Sequence, residues 1–195
     1  MIHPRNQYMV NLTKSLGLDR TKDFPETLTF GLYDGNEIVF QTKRYPIFEE
    51  TMNNARMLIR YGTSLPTLNP WIAETLGWFS KIYPAQLTMG ASFSSVYQLL
   101  HSLSSVFDEL VSSSIGDYLQ KKVGMGQLFT EELARTAMRI NYGQDLGIPG
   151  FVGAVSMAGF QGGLWSVNGG NFRVAEEALT KSKAKISLPF NWLGK

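Results

Sequence analysis

The chain offers few residues that could carry catalysis unaided. Cysteine is absent from the 195 residues, which removes thiolate nucleophiles, thiolate-held zinc and disulfides. The two histidines, His3 and His101, lie far apart, and no clustered spacing of Asp and Glu suggests a carboxylate metal centre. Nucleotide loops are missing too. Gly124-Met125-Gly126 is the nearest approach to G-x-G-x-x-G, and it lacks the third glycine and a preceding strand. There is no Walker loop, no G-x-S-x-G and no Ser/His/Asp set. Two polar segments stand out. In RINYGQ (Arg139 to Gln144), Arg139 either complements a helix end, pairs with a nearby Glu, or meets a ligand. Asn141 and Gly143 read as a helix stop. In GLWSVNGGN (Gly163 to Asn171), Gly169-Gly170 reads as a tight turn before a helix.

The elements that must position these residues follow from hydrophobic period. Residues 6–16 read as a short helix with Met9, Leu12 and Leu16 on one face and Gly17 as its stop. Residues 27–41 read as a hairpin, with Leu28, Phe30 and Leu32 aligned, an Asp34-Gly35 turn, then Ile38 and Phe40. Beyond it the period is helical. Asn69 and Pro70 suit the cap and first turn of a helix whose apolar arc (Trp71, Ile72, Leu76, Trp78, Phe79, Ile82, Tyr83) is wider than usual. Residues 94–111 continue the pattern, with a break at Ser104-Ser105, and His101 falls on the polar side. Thr130 suits the cap of a further helix, with Glu131 and Glu132 in its first turn and Arg135 and Arg139 later. GLWSV and AKISL (Ala184 to Leu188) read as strands around a helix over 172–181.

Composition narrows the class. The chain carries 12 Phe, 8 Tyr and 4 Trp, is 44% hydrophobic and only 17% charged, against about 25% charged in typical soluble domains. This argues for a buried core and for apolar surface facing a partner, a ligand or more of the same fold. A net charge of +2 gives no footprint for nucleic acid. From Leu146 to Phe172 no residue is charged, but eight glycines make the segment turn-rich rather than membrane-spanning. The N-terminal MIHPRNQYMV does not read as a signal peptide.

Four blocks take the reading further: IHPRN (Ile2 to Asn6), RINYGQ, FVGAVSMAG (Phe151 to Gly159) and GLWSVNGGN, in this order. Together they resemble the prenylcysteine oxidase family, also called prenylcysteine or farnesylcysteine lyases. The hairpin and RYG (Arg60 to Gly62) also lie where that family has them. The resemblance implies an α+β fold class: part of an α/β, FAD-dependent, amine-oxidase-like fold. Residues 1–22 would be a remnant of the FAD-binding domain, 23–162 a mostly helical substrate domain with a β-hairpin, and 163–195 the return to the FAD-binding domain. The family's fingerprint glycines lie upstream of IHP, so the chain is expected to be an internal section of a longer flavoenzyme. Its remaining FAD-binding domain would be its partner, and the section alone would be inactive.

The implied reaction converts a prenylcysteine thioether, with oxygen and water, to a prenyl aldehyde, free cysteine and hydrogen peroxide. The aromatic helices suit an apolar tunnel for the prenyl tail. By resemblance, His3, Pro4, Gly169, Gly170 and Asn171 are cofactor-binding, and Arg139, Asn141, Tyr142 and Gln144 hold the zwitterionic end of the substrate. No catalytic side chain and no metal are implied. A lysosomal, vacuolar or secretory lumen is expected, in keeping with the sequon Asn11-Leu12-Thr13. The alternatives are another flavin-dependent amine or lipid oxidase of this architecture, and a non-catalytic module for apolar ligands.

Overall fold

The computed structural model describes residues 1–21 and 30–185. The elements run α1 (Gln7–Leu16), β1 (Gly31–Tyr33), β2 (Ile38–Gln41), α2 (Glu49–Tyr61), α3 (Ser64–Phe79), α4 (Ile82–Leu87), α5 (Val96–Leu103), α6 (Val106–Ser112), α7 (Ile115–Tyr118), α8 (Gln127–Phe129), α9 (Arg135–Tyr142), α10 (Gly150–Met157) and α11 (Phe172–Ser182). Two π-helical stretches, Leu119–Val123 and Thr130–Ala134, continue α7 and join α8 to α9. The described residues are mainly helical with a two-stranded antiparallel sheet, in keeping with the α+β class. The chain divides into two compact units, Met1–Phe24 with Gly163–Lys195, and Pro25–Gly162.

In the first unit, α1 starts where the Asn6 side chain accepts the Met9 amide and stops at Gly17 in the left-handed region. Its inner face carries Thr13 and Leu16, while the expected Leu12 points to solvent. Burial of Thr13 is tolerated because its hydroxyl donates to the Met9 and Val10 carbonyls at 2.8 and 3.0 Å. The expected GLWSV strand is reduced to single antiparallel bridges, Ile2 with Trp165 and Arg20 with Val167. Each partner stretch is too short to extend the ladder. Ile2, Trp165 and Val167 form the small core of this unit. The AKISL reading lies mostly outside the described residues, as do Leu28 and the tail from Pro189.

In the second unit, Leu32 faces Phe40 across the hairpin. A bulge beyond this pair sets Val39 against the core and turns Ile38 outward, so the expected alignment of Ile38 with Phe40 fails. Asp34 Oδ1 closes the turn by accepting the Asn36 and Glu37 amides at 2.7 and 2.9 Å. The helix expected to open at Asn69-Pro70 begins earlier, at Ser64, and carries Pro70 inside it. Pro70, well inside the helix, gives up one intrahelical hydrogen bond, while Leu68, Trp71 and Ile72 are buried on the same helix. Thr130 is likewise no cap. It is fully buried, and its hydroxyl donates to the Gly126 carbonyl at 3.0 Å inside a helical run already begun at Gln127. The break at Ser104-Ser105 and the stop at Gly143 fall where expected.

The core of this unit gathers α3, α6, α7, α9 and α10. Phe79, Phe107 and Phe151 meet pairwise with ring centroids 5.6–6.4 Å apart. α10 approaches α6 and α7 closely because Gly150 and Gly153 face Leu110 and Ile115. Among the described residues no helix is long and apolar enough to cross a membrane.

Candidate functional site

The residues expected on the cofactor side all fall in the first unit. His3 sits beside Ile2, and its Nδ1 accepts the Arg5 amide at 3.1 Å, which places the proton of the neutral ring on Nε2. Pro4 lies against Gly163, its Cγ 3.6 Å from where a Cβ there would be. Gly169 and Gly170 turn the chain with φ of +82° and +113°. The turn is locked from both sides: the Gly170 amide donates to the Val167 carbonyl at 2.9 Å, and the Val167 amide to Asn171 Oδ1 at 2.9 Å. Asn171 therefore serves the turn itself and leads into α11. Trp165 is buried beneath the guanidinium of Arg20, which lies 4.5 Å from the ring centre. Its indole N–H has no acceptor among the described residues.

The residues expected to hold the substrate fall in the second unit, at and just after the end of α9. Their side chains take different partners. Arg139 pairs with Asp145 at 3.3 Å and is exposed. Asp145 also holds Arg135 at 3.1 Å, and Arg135 reaches Glu131. The Leu146 amide, then the two arginines, keep the Asp145 carboxyl below its ordinary range. Asn141 is exposed, but its Nδ2 reaches Ser156 Oγ and donates to it at 2.8 Å, and Ser156 in turn donates to the Ala137 carbonyl at 3.0 Å. Tyr142 and Gln144 are exposed on either side of Gly143, which takes a left-handed φ of +61°. His101 pairs with Asp108 at 2.8 Å and remains mostly exposed, on the polar side as expected.

One cluster escaped the sequence reading. Arg60 grips Glu132 with both nitrogens, at 2.8 and 2.6 Å, and the Tyr61 hydroxyl donates to the same carboxylate at 2.8 Å. The arginine lowers the Glu132 carboxyl against the opposing effect of burial, and burial with the adjacent carboxylate raises the Tyr61 hydroxyl. Glu132 sits in the π-helical stretch that ends one residue before α9. Its members appeared in the sequence only separately, Arg60 and Tyr61 in the family-like RYG and Glu132 as a first-turn glutamate after Thr130. Nothing in local spacing links residues 72 positions apart. Among the described residues no group of three His, Asp or Glu converges to hold a metal ion.

One unit is mainly helical and carries the charged clusters, the other holds a glycine turn that leads into a helix, and no metal set is found among the described residues. The chain belongs to the prenylcysteine lyase family, whose model matches residues 48–191. It is 37% identical over 187 residues to prenylcysteine oxidase 1 of Bos taurus, covering 95% of this chain and 35% of the relative. It is 35% identical over 187 residues to the Homo sapiens protein of the same name, with the same two shares covered. It is 33% identical over 189 residues to prenylcysteine oxidase 1-like of Bos taurus, covering 94% of this chain and 36% of the relative. The chain thus spans about a third of the length of the curated relatives it matches.

Proposed function

We propose that this chain forms the substrate side, and part of the flavin side, of an FAD-dependent prenylcysteine oxidase with an amine-oxidase-like architecture. The observation that carries the reading is family membership spread over nearly the whole chain, not confined to one motif. The residues at the glycine turn fit a flavin nucleotide. Two glycines expose backbone at the start of an 11-residue helix, a setting that favours negative groups. The buried Trp165 N–H also awaits an acceptor. FAD, when bound, would supply a hydride acceptor for the carbon next to sulfur and would hand the electrons to oxygen, giving hydrogen peroxide. Capture of the sulfur-stabilised carbon by water would then release the aldehyde and cysteine.

In this reading His3, Pro4, Gly169, Gly170 and Asn171 shape the flavin side. His3 acts by packing and hydrogen bonding, since its Nδ1 already serves the Arg5 amide. Arg139 takes the substrate carboxylate by exchanging out of its exposed pair with Asp145. Tyr142 and Gln144, exposed beside it, meet the rest of the amino-acid end, and Asn141 braces the helix end on Ser156. The aromatic helices shelter the prenyl chain. Residence in a lysosomal, vacuolar or secretory lumen belongs to the same reading, and Asn11 of the sequon is exposed on α1.

The test is a graft. Residues 1–195 replace the matching third of the bovine oxidase, and the FAD-loaded chimera is assayed for peroxide release from farnesylcysteine and from polyamines. Release from farnesylcysteine, with KM raised about tenfold by Arg139→Gln as expected for one lost charge-assisted pair, supports the reading. A folded, yellow chimera that oxidises only polyamines makes the chain part of an amine oxidase instead. The 195-residue chain by itself is expected to retain no stoichiometric flavin after desalting and to release no peroxide.

A further inference from the structure

We propose that the loop Lys43–Phe48 and the outer face of α2 form a docking surface for a lipid bilayer carrying anionic headgroups. α2 is apolar on two sides. Asn53 and Tyr61 turn inward, while Met52, Ala55 and Ile59 face solvent. At 100° per residue these three fall within an arc of roughly 60°. Ile59 is 85% exposed. The four charges of the helix lie off this arc, and three of them are occupied elsewhere. Arg56 donates to the Gln41 carbonyl at 2.8 Å and lies over the Phe40 ring. Arg60 holds Glu132, and Glu49 accepts the Tyr45 amide. Glu50 falls on the opposite side of the wheel from Met52 and Ile59.

The loop before α2 extends the same apolar face. Ile47 and Phe48 are 68% and 74% exposed. Phe48 takes φ +60°, ψ +33°, a left-handed conformation that aromatic L-residues rarely adopt, with no side-chain cap bond in return. The fold thus holds a large apolar ring out in water. The loop is anchored: the buried Asn53 side chain accepts the Lys43 amide and donates to the Lys43 carbonyl, both at 2.9 Å. Lys43 and Arg44 are exposed and take no acidic partner among the described residues. Insertable apolar side chains beside unpaired cations on a rigid support are the two signals that stable peripheral binding to an anionic bilayer requires. A protein partner would need no such cations at the apolar tip. The surface lies wholly within the second unit and uses neither flavin nor the oxidase reaction.

The test uses the 195-residue chain and sedimented vesicles of phosphatidylcholine alone or mixed with phosphatidylserine. Binding is expected on the mixed vesicles, falling severalfold between low and high salt. Phe48→Asn separates docking from folding, because Asn accepts the left-handed conformation better than Phe. It should keep or raise the melting temperature and lower the partition coefficient about tenfold. Lys43→Gln with Arg44→Gln should remove only the phosphatidylserine-dependent part. Met89→Gln, at another exposed apolar residue, should change nothing. The proposal is overturned by no binding to mixed vesicles, or by equal binding of the Phe48→Asn variant. A concentration-dependent dimer abolished by Phe48→Asn, without vesicle binding, would assign the face to a second copy of the chain and overturn it as well.

Discussion

Adding one methyl group at Gly153 tests whether α10 is locked against α7. A Cβ built there would lie 2.3 Å from Ile115 Cγ1 and 2.4 Å from Ile115 Cβ. Carbon atoms pack at about 3.5–4.0 Å, so the overlap exceeds an ångström. Ile115 is fully buried and has no free side to retreat into. Relief therefore requires the two helices to separate, and overpacking of this kind costs about 1–3 kcal/mol. Against this stands the gain of about 0.5–1 kcal/mol from replacing a helical glycine with alanine. The net expectation for Gly153→Ala is a loss of about 1 kcal/mol, or roughly 2–4 °C in melting temperature for a chain of this size. Gly77 supplies the control. It is exposed inside α3, and a Cβ there meets nothing within 4 Å, so Gly77→Ala should stabilise by about 0.5–1 kcal/mol. Thermal melts followed by circular dichroism read both. In a double-mutant cycle, Ile115→Ala should make Gly153→Ala nearly harmless by opening the space it needs. If Gly153→Ala stabilises the chain as much as Gly77→Ala does, the close approach of α10 and α7 is wrong.

Other consequences follow from the buried polar groups. Glu132→Gln keeps the shape but removes the charge gripped by Arg60, and should cost about 1–3 kcal/mol at neutral pH. Because the folded carboxyl lies below its ordinary value of 4.5, its stabilisation is complete above that pH. It is lost as the pH falls through the depressed folded value, so the gap between wild type and variant should close on acidification. A gap independent of pH would exclude the ion pair as its cause. Ser156→Ala should cost about 1–2 kcal/mol by chemical denaturation, since the hydroxyl links the Ala137 carbonyl to Asn141; Asn141→Ala made on top of it should add little. Gly170→Ala places a Cβ 2.9 Å from the Phe172 ring at φ +113°, and should destabilise by about 1–3 kcal/mol, with proteolysis expected to open the segment before α11.

Local signals carried much of this architecture. The Asn6 cap and Gly17 stop of α1, the Asp34-Gly35 turn, the break at Ser104-Ser105 and the Gly143 stop each depend on one or two residues and their own backbone. Such residues act over a single turn of chain, so reading them requires no knowledge of the fold. The family was legible for a related reason: blocks such as GLWSVNGGN keep their order along the chain whatever packs around them. The errors arose where distant contacts outweighed local preference. Asn69-Pro70 has the chemistry of a helix start, yet burial of Leu68, Trp71 and Ile72 draws the helix back to Ser64. Thr130 followed by two glutamates has the chemistry of a cap, yet burial of Phe129 and Thr130 carries the helix through it.

Composition alone required a chain rich in apolar surface, without thiols and with a net charge that points to no polyanion partner, and hydrophobic period made most of it helical. Tertiary structure decided which polar groups meet. Arg60 and Glu132 share a bidentate pair across 72 residues, Asn141 finds Ser156, and Gly153 admits Ile115. It also decided which apolar residues stay in water, leaving Phe48 and Ile59 outward while Phe107 and Ile115 are sealed. Periodicity marks a residue as apolar and assigns it a face. Whether that face meets another element depends on contacts between segments far apart in the chain, and those exist only once it has folded.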